Sequence, residues 1–538
     1  MLNRIARLST TGAWFVLLFL PAVIEIATLD ERDINTYYRF SLSIVSLLLL
    51  RILMPGRLIF PITFPLLLIG MASLFAVLSR HIDLLTLLVQ LHVFSKVEVH
   101  EALQPYFFMT AVVVATTTVW CWICYRISSQ QRTHRTHILF FMLCSVLIGL
   151  TTPSAILLQT WPIDALIVVP SVLIHSKAVS NLLLPTAADV NPRNPNATWN
   201  TVRVPRDTPI PQTIVLIIGE SIRNDFLREC GGPQKVRSVA EDALVACDVT
   251  AGADATGTSV PLLVSREMPG HAQRISSDAT FIHALEELGF ETYWFSTQTQ
   301  TVAWSDAQHQ TYYEVEDDAL LFSAFDRVLS TPPKHKVIVL HAYNAHAPYC
   351  LRYHPETAPY QVACDGLIGI PTRRTLADFK VAYANAVDAS IGFVNQIIRR
   401  ASQSPGEVFL VFTPDHAEAL LEDTRQIYGH ALARPVQWDI HVPAIFWANN
   451  LWRQEHEQQW TSLHNKIHDP LMHMDIVPTL MAAAEVTYTE PRTRAMNLLN
   501  PEKNIISRMR TIQHTLGTTV DWETLLAESQ HSRPRNDQ

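Results

Sequence analysis

The chain has 538 residues, of which 48% are hydrophobic and only 17% charged, and its formal net charge is −8. That length exceeds one ordinary domain and calls for two or three units. A weakly charged, net acidic chain gives a nucleic-acid partner no electrostatic footing.

Apolar residues are concentrated in the first third, with five apolar stretches at about 12–28, 40–54, 59–79, 107–126 and 138–158. Several approach the ~20 residues that a bilayer-spanning helix needs. Arg4 and Arg7 before the first stretch have the look of a signal peptide. Four further stretches come after it, so it is expected to stay as an anchor. Shorter apolar runs at 84–94 and 164–174 suit interfacial helices. Arg4, Arg7, Arg51, Arg57, Arg126, Arg132 and Arg135 fall on one side of the predicted spans, and Asp30, Glu31, Asp33, Asp83, Glu98 and Glu101 on the other. The positive-inside rule keeps the Arg-rich loops in the cytoplasm, so five spans export everything after about residue 160.

Cysteine usage agrees with that placement. Cys121, Cys124 and Cys144 fall in the predicted spans, and Cys230, Cys247, Cys350 and Cys364 beyond them. An even set in the exported part fits two disulfides in an oxidising compartment, with proximity favouring Cys230–Cys247 and Cys350–Cys364 among three pairings. Zinc ligation by these cysteines is the weaker alternative, since no C-x-x-C occurs among them.

Between about 178 and 212, Pro185, Pro192, Pro195, Pro205, Pro209 and Pro211 punctuate an Asn-, Thr- and Ala-rich connector. Asn196-Ala-Thr198 is a formal glycosylation sequon of a kind common by chance. Beyond it, continuous apolar runs predict strands at Thr213–Ile218, Thr292–Phe295, Val337–Leu340, Val408–Phe412 and Ala444–Trp447. Helices are predicted at Phe281–Leu288, Ala377–Arg399 and Met472–Ala484. Alternation of this kind indicates an α/β fold with a mostly parallel sheet buried on both faces.

Residues with chemistry to offer sit directly after these strands. Thr213–Ile218 runs into Gly219-Glu220-Ser221, Val337–Leu340 into a segment containing His341 and His346, and Val408–Phe412 into Thr413-Pro-Asp415-His416-Ala-Glu418. Ligand sites of open α/β sheets lie beyond the carboxyl ends of the strands, so Glu220, His346, Asp415 and His416 are expected on one rim. Two carboxylates and an imidazole suit Zn²⁺ or Mn²⁺, although either carboxylate could instead cap a helix. Thr256, in Asp254-Ala-Thr256-Gly-Thr258-Ser-Val-Pro261, precedes an apolar, helix-like run whose amino end would favour a phosphate. A threonine hydroxyl needs a metal or base beside it to act as a nucleophile, and a plain N-cap would use the same residue.

At these residues the chain resembles the bacterial phosphoethanolamine transferases of the alkaline phosphatase/sulfatase superfamily, most nearly the branch that modifies lipopolysaccharide core sugars. The motifs are Ile218-Gly-Glu-Ser221, Thr256-x-x-Ser-Val-Pro261, His346-Ala-Pro348, Asp415-His-Ala-Glu418 and Gly429-His430. The resemblance implies an inner-membrane, multi-pass protein: a five-helix transmembrane bundle over 1–160, an interfacial helix and linker over 161–212, and a periplasmic sulfatase-like catalytic domain over 213–538 with a mostly parallel central sheet. It implies that Glu220, Thr256, Asp415 and His416 bind Zn²⁺ and that Thr256 becomes covalently modified. His346 and His430 would hold the phosphate or a second metal and assist proton transfer. The implied donor is phosphatidylethanolamine and the acceptor lipopolysaccharide or another envelope glycan.

The chain departs from the family pattern at three places. Ala347 and Ala417 stand where glycine is usual, no cysteines flank Thr256, and Trp294–Gln308 lacks the lysine of lipid A-modifying members, which turns the expected acceptor towards core sugar. Phosphoglycerol transfer, ester hydrolysis by the same fold and a non-catalytic envelope scaffold are the competing readings. A sulfatase nucleophile in a C/S-x-P-x-R context is missing. His341 is expected to be a satisfied buried histidine.

Overall fold

The computed structural model describes residues 198–205, 210–270, 278–298, 300, 305–313, 317–364, 367, 371, 375–422, 427–431, 435–488, 497–502, 509–514 and 519–531. The five predicted spans, both shorter apolar runs, most of the connector and Asn196 of the sequon lie outside the described residues. Among the described residues, no helix is long and apolar enough to cross a membrane.

Eight strands form the central sheet: β1 (Gln212–Gly219), β2 (Leu244–Thr250), β3 (Glu291–Ser296), β4 (His309–Tyr312), β5 (Lys336–His341), β6 (Glu407–Pro414), β7 (His441–Ala448) and β8 (Leu471–Met472). Their order across the sheet is β8-β2-β7-β6-β1-β5-β3-β4. All five predicted strands are present, each a few residues longer than its apolar run. Pairing is parallel from β6 through β1, β5 and β3 to β4, whereas β7 runs antiparallel to both β6 and β2. The sheet is therefore mostly parallel, as expected, and mixed only through the one antiparallel strand β7. Because β7 opposes both neighbours, β2 shares the direction of β1 and β6.

Strand periodicity sorts the core into two layers. Ile214, Leu216 and Ile218 of β1 join Val337, Val339, Phe409 and Val411 on one face, while Val215 and Ile217 join Ile338, Leu340, Leu410 and Phe412 on the other. The first face is covered by α2 (Phe281–Glu286) and α5 (Ile476–Ala483), the second by α3 (Ala319–Leu329) and α4 (Leu376–Ala401). Each fully buried large side chain contributes about 1.5–3 kcal/mol of transfer free energy, so these layers fix the strands firmly enough to carry a site at their ends.

Helix α4 has 26 residues because Phe379, Tyr383, Val387, Ile391, Val394 and Ile398 repeat at helical spacing and Arg399 and Arg400 complement its carboxyl end. Two predicted helices are shorter than expected. Phe281–Leu288 stops at Glu286, with Gly289 in the left-handed region (φ 86°) closing the turn. Met472–Ala484 begins as the end of β8 and a 3₁₀ turn over His473–Asp475, since Asp475 accepts the Met472 amide and delays the helix to Ile476. Cys230–Cys247 and Cys350–Cys364 form the two disulfides.

Candidate active site

The predicted residues come together at the carboxyl ends of the strands. Glu220 lies just past β1, and Gly219 before it is required: a Cβ there would lie 2.7 Å from the Phe412 ring and 2.8 Å from the Asn344 side chain. Ser221 takes a left-handed turn (φ 57°), and the Tyr383 hydroxyl of α4 clamps that turn by donating to the Ser221 carbonyl (2.6 Å) and accepting from the Arg223 amide (2.9 Å). Asp415 and His416 lie just past β6. Thr256 opens α1 (Thr256–Val264), whose N-cap is Ala255. The capping alternatives are thereby excluded for Thr256 and Glu220, because both side chains point into the site.

The donor atoms cluster tightly. The Thr256 hydroxyl donates to Glu220 Oε2 at 3.1 Å and lies 3.3 Å from His416 Nε2. His416 Nε2 is 3.2 Å from Glu220 Oε1 and 3.5 Å from Asp415 Oδ2. Glu220, His416 and His430 each offer an atom within 4.8 Å of the others. Glu220, Asp415 and His416 are 0% exposed, whereas Thr256, His430 and His346 are 8%, 7% and 9% exposed. The site thus has a sealed floor and an open side.

All three histidines are held through Nδ1. His416 Nδ1 donates to the Ala417 carbonyl (2.9 Å), His346 Nδ1 to the Ala347 carbonyl (2.6 Å) and His430 Nδ1 to Glu418 Oε2 (3.0 Å). Carbonyl and carboxylate oxygens only accept, so each Nδ1 carries a proton and Nε2 is the nitrogen left for a cation. The rings of His416 and His430 are 4.1 Å apart and those of His346 and His430 are 5.7 Å apart.

Electrostatics point to a cation. Burial acts to raise the Glu220 pKa, but His416, His346 and His430 outweigh it and hold this carboxyl well below the usual range. Burial, reinforced by Glu220, pushes Asp415 up to about 7. Burial alone would lower His416, yet Asp415 and Glu220 raise it to about 9. Two sealed carboxylates thus compete for one imidazole, and Asp415 Oδ2 has no hydrogen-bond partner among the described residues. Three oxygens and one nitrogen suit Zn²⁺, and a tetrahedral ion with ~2.0 Å bonds spaces its ligands by about 3.3 Å. Separations of 3.1–3.5 Å, measured from His416 Nε2 to the Thr256 hydroxyl, Asp415 Oδ2 and one Glu220 oxygen and from that hydroxyl to the other Glu220 oxygen, are close to that spacing.

Sequence reasoning left two contributors without a role. Glu418 orients His430, and the Gln298 carboxamide donates to Glu220 Oε2 at 2.8 Å. The Asp415-His-Ala-Glu418 motif contained the first; nothing local marks the second. His341 is fully buried as expected, with Nδ1 3.1 Å from the Ser296 hydroxyl, but its Nε2 lacks a partner among the described residues. Ala417 fits the core with no exposure, its amide bonded to the Asp439 carbonyl.

Residues 212–486, just over half of the chain, match the family described as Sulfatase. The chain belongs to the sulfatase family. Within that family it is similar to the phosphatidylethanolamine transferase Mcr-2 of Escherichia coli, 25% identical over 313 residues that cover 53% of this chain and 56% of the relative. The chain spans about half the length of the curated relatives it matches. The fold is shared with the integral membrane lipooligosaccharide phosphoethanolamine transferase A (EptA) of Neisseria meningitidis, with a TM-score of 0.68 and 17% identity over 88% of this chain and 96% of that one. It is also shared with the periplasmic domain of EptC from Escherichia coli, solved in complex with Zn: TM-score 0.53, 18% identity, 64% of this chain and 98% of that one.

Proposed function

We propose that this sulfatase-family protein transfers phosphoethanolamine from phosphatidylethanolamine to a lipopolysaccharide core sugar or related envelope glycan through a phosphothreonine intermediate on Thr256. The observation that carries the proposal is the Thr256 hydroxyl, set on the open side of the site yet bonded to Glu220 and His416 on its sealed floor. The names of the relatives, all phosphoethanolamine or phosphatidylethanolamine transferases, support the choice of headgroup. Residues 1–160 would form the five-helix anchor in a bacterial inner membrane, with the described domain in the periplasm, where a lipid donor is within reach.

In this reading Glu220, Thr256, Asp415 and His416 hold one Zn²⁺, and His346 and His430 bind the phosphate or a second ion. Zn²⁺ supplies a lowered pKa for the coordinated hydroxyl and offsets charge on the phosphoryl oxygens. Thr256 Oγ1 gives its proton to the imidazole of His346 or His430 and forms a bond to phosphorus, and that imidazolium passes the proton to the diacylglycerol oxygen as the bond from phosphorus to it breaks. The same histidine then takes the proton of the acceptor hydroxyl, whose oxygen attacks phosphorus, and returns it to Thr256 Oγ1 as the bond from that oxygen to phosphorus breaks. Glu418 stabilises the imidazolium that His430 becomes in between.

Intact-mass analysis of protein incubated with headgroup-labelled phosphatidylethanolamine tests this. A phosphoethanolamine increment on Thr256 is expected. Free phosphoethanolamine without an adduct indicates hydrolysis, and no turnover indicates a scaffold; either result rejects the proposal.

A further inference from the structure

Gln298 is a buried polar side chain at the rim that takes no part in the reaction above. It lies two residues beyond β3, which neighbours β5, which in turn neighbours β1. Its carboxamide nitrogen donates to Glu220 Oε2 at 2.8 Å and to the Ala342 carbonyl at 3.3 Å, so it spans three strand ends. The Ser296 hydroxyl fixes its backbone, accepting from the Gln298 amide (3.1 Å) and lying 3.2 Å from the Gln298 carbonyl. Ser221 meanwhile donates to Glu220 Oε1 at 2.7 Å. Both carboxylate oxygens are therefore held from outside the donor cluster.

The charge of those holders matters as much as their position. A lysine or arginine beside Glu220 would neutralise the carboxylate and repel a divalent cation at close range. An amide and a hydroxyl fix the carboxylate rotamer while leaving its negative charge intact. We infer that Gln298 is a positioning residue that sets the cation affinity of this site by orienting Glu220. The inference rests on the reading that Glu220 binds Zn²⁺ and adds the group that aims it. Outer partners of this kind are worth about 10- to 100-fold in metal affinity.

The test is the Zn²⁺ dissociation constant of the full chain, measured by competition with a chromophoric chelator, together with the melting temperature of the chelator-stripped protein. Gln298→Met keeps the volume of the side chain and removes the donor. It is expected to weaken Zn²⁺ binding about 10- to 100-fold while leaving the metal-free melting temperature within a few degrees of the parent. Ser296→Ala loosens Gln298 only indirectly and should weaken binding less, in the same direction. Parent-like affinity in Gln298→Met overturns the inference, and so does a loss matched by an equal drop in metal-free stability. Should Gln298→Met not fold, unchanged affinity in Ser296→Ala overturns it instead. A parent protein that binds no Zn²⁺ overturns the underlying reading of the site, a distinct result.

Discussion

Glu220, Asp415 and His416 leave strands β1 and β6 directly and are shut off from solvent, whereas His346 and His430 ride on irregular segments and keep an opening. His430 comes after a short hairpin that pairs Ala419–Leu420 with Tyr428–Gly429, and Gly429 supplies the left-handed turn (φ 95°) that precedes it. The floor inherits its rigidity from a sheet buried on both faces. The open side is built from loops braced by contacts such as Glu418 to His430 and Arg352 to the His346 carbonyl (2.7 Å). The contrast matches the work each side would do: a cation must be held still, while donor lipid, product and acceptor must come and go. Thr256 belongs to both, since its hydroxyl is bonded to the floor and its side chain reaches the opening.

The sharpest way to break the contrast is at that shared residue. Thr256→Ala should lower transfer by at least about a thousand-fold and abolish the covalent adduct, read by mass spectrometry after incubation with labelled lipid. Next in size, His430→Ala should cost about 10²- to 10⁴-fold in turnover and Glu418→Gln about 10- to 100-fold, both with the tightly bound Zn²⁺ retained. Zinc assays on these two variants decide whether floor and opening are separable. Loss of the tightly bound ion from His430→Ala would merge them into one unit.

Gly219→Ala probes the floor alone. The added methyl meets the Phe412 ring and the Asn344 side chain, so about 1–3 kcal/mol of stability should be lost, visible as a lower denaturation midpoint. A further prediction concerns pH. Burial depresses His341 to about 4 and His473 to about 3. The unfolded chain, with ordinary imidazoles near 6.5, therefore binds more protons in acid. The stability these residues support is present above about pH 6.5 and declines as pH falls towards 4. Denaturant titrations between pH 4 and 8 should show that decline, and its absence in a His341→Asn, His473→Asn double variant would assign it.

The composition of each element decides how far it was legible in the sequence. β1, β5 and β6 are evident because strands buried on both faces are continuous apolar runs, and the residues after them can be assigned to one rim from topology alone. β2 escapes notice because Cys247 and Asp248 interrupt its apolar pattern, and β4 because His309, Gln310 and Thr311 form an exposed, polar edge. β8 has two residues, too few for any periodicity. The antiparallel β7 reads like a parallel strand, since buried strands of either direction have the same composition. In the site, the principal donors carry motif signals. Gln298 carries none, because its role is created by the adjacency of β3, β5 and β1 and not by its neighbours in the chain.

The central claim is that Glu220, Thr256, Asp415 and His416 converge on one cation beside a reactive hydroxyl. Crystals grown with Zn²⁺ and measured across the zinc absorption edge test it most directly. An anomalous peak about 2 Å from Thr256 Oγ1, Asp415 Oδ2, His416 Nε2 and a Glu220 carboxylate oxygen is the expected result. No peak there, or a peak held only by Glu418 and His430, would contradict it.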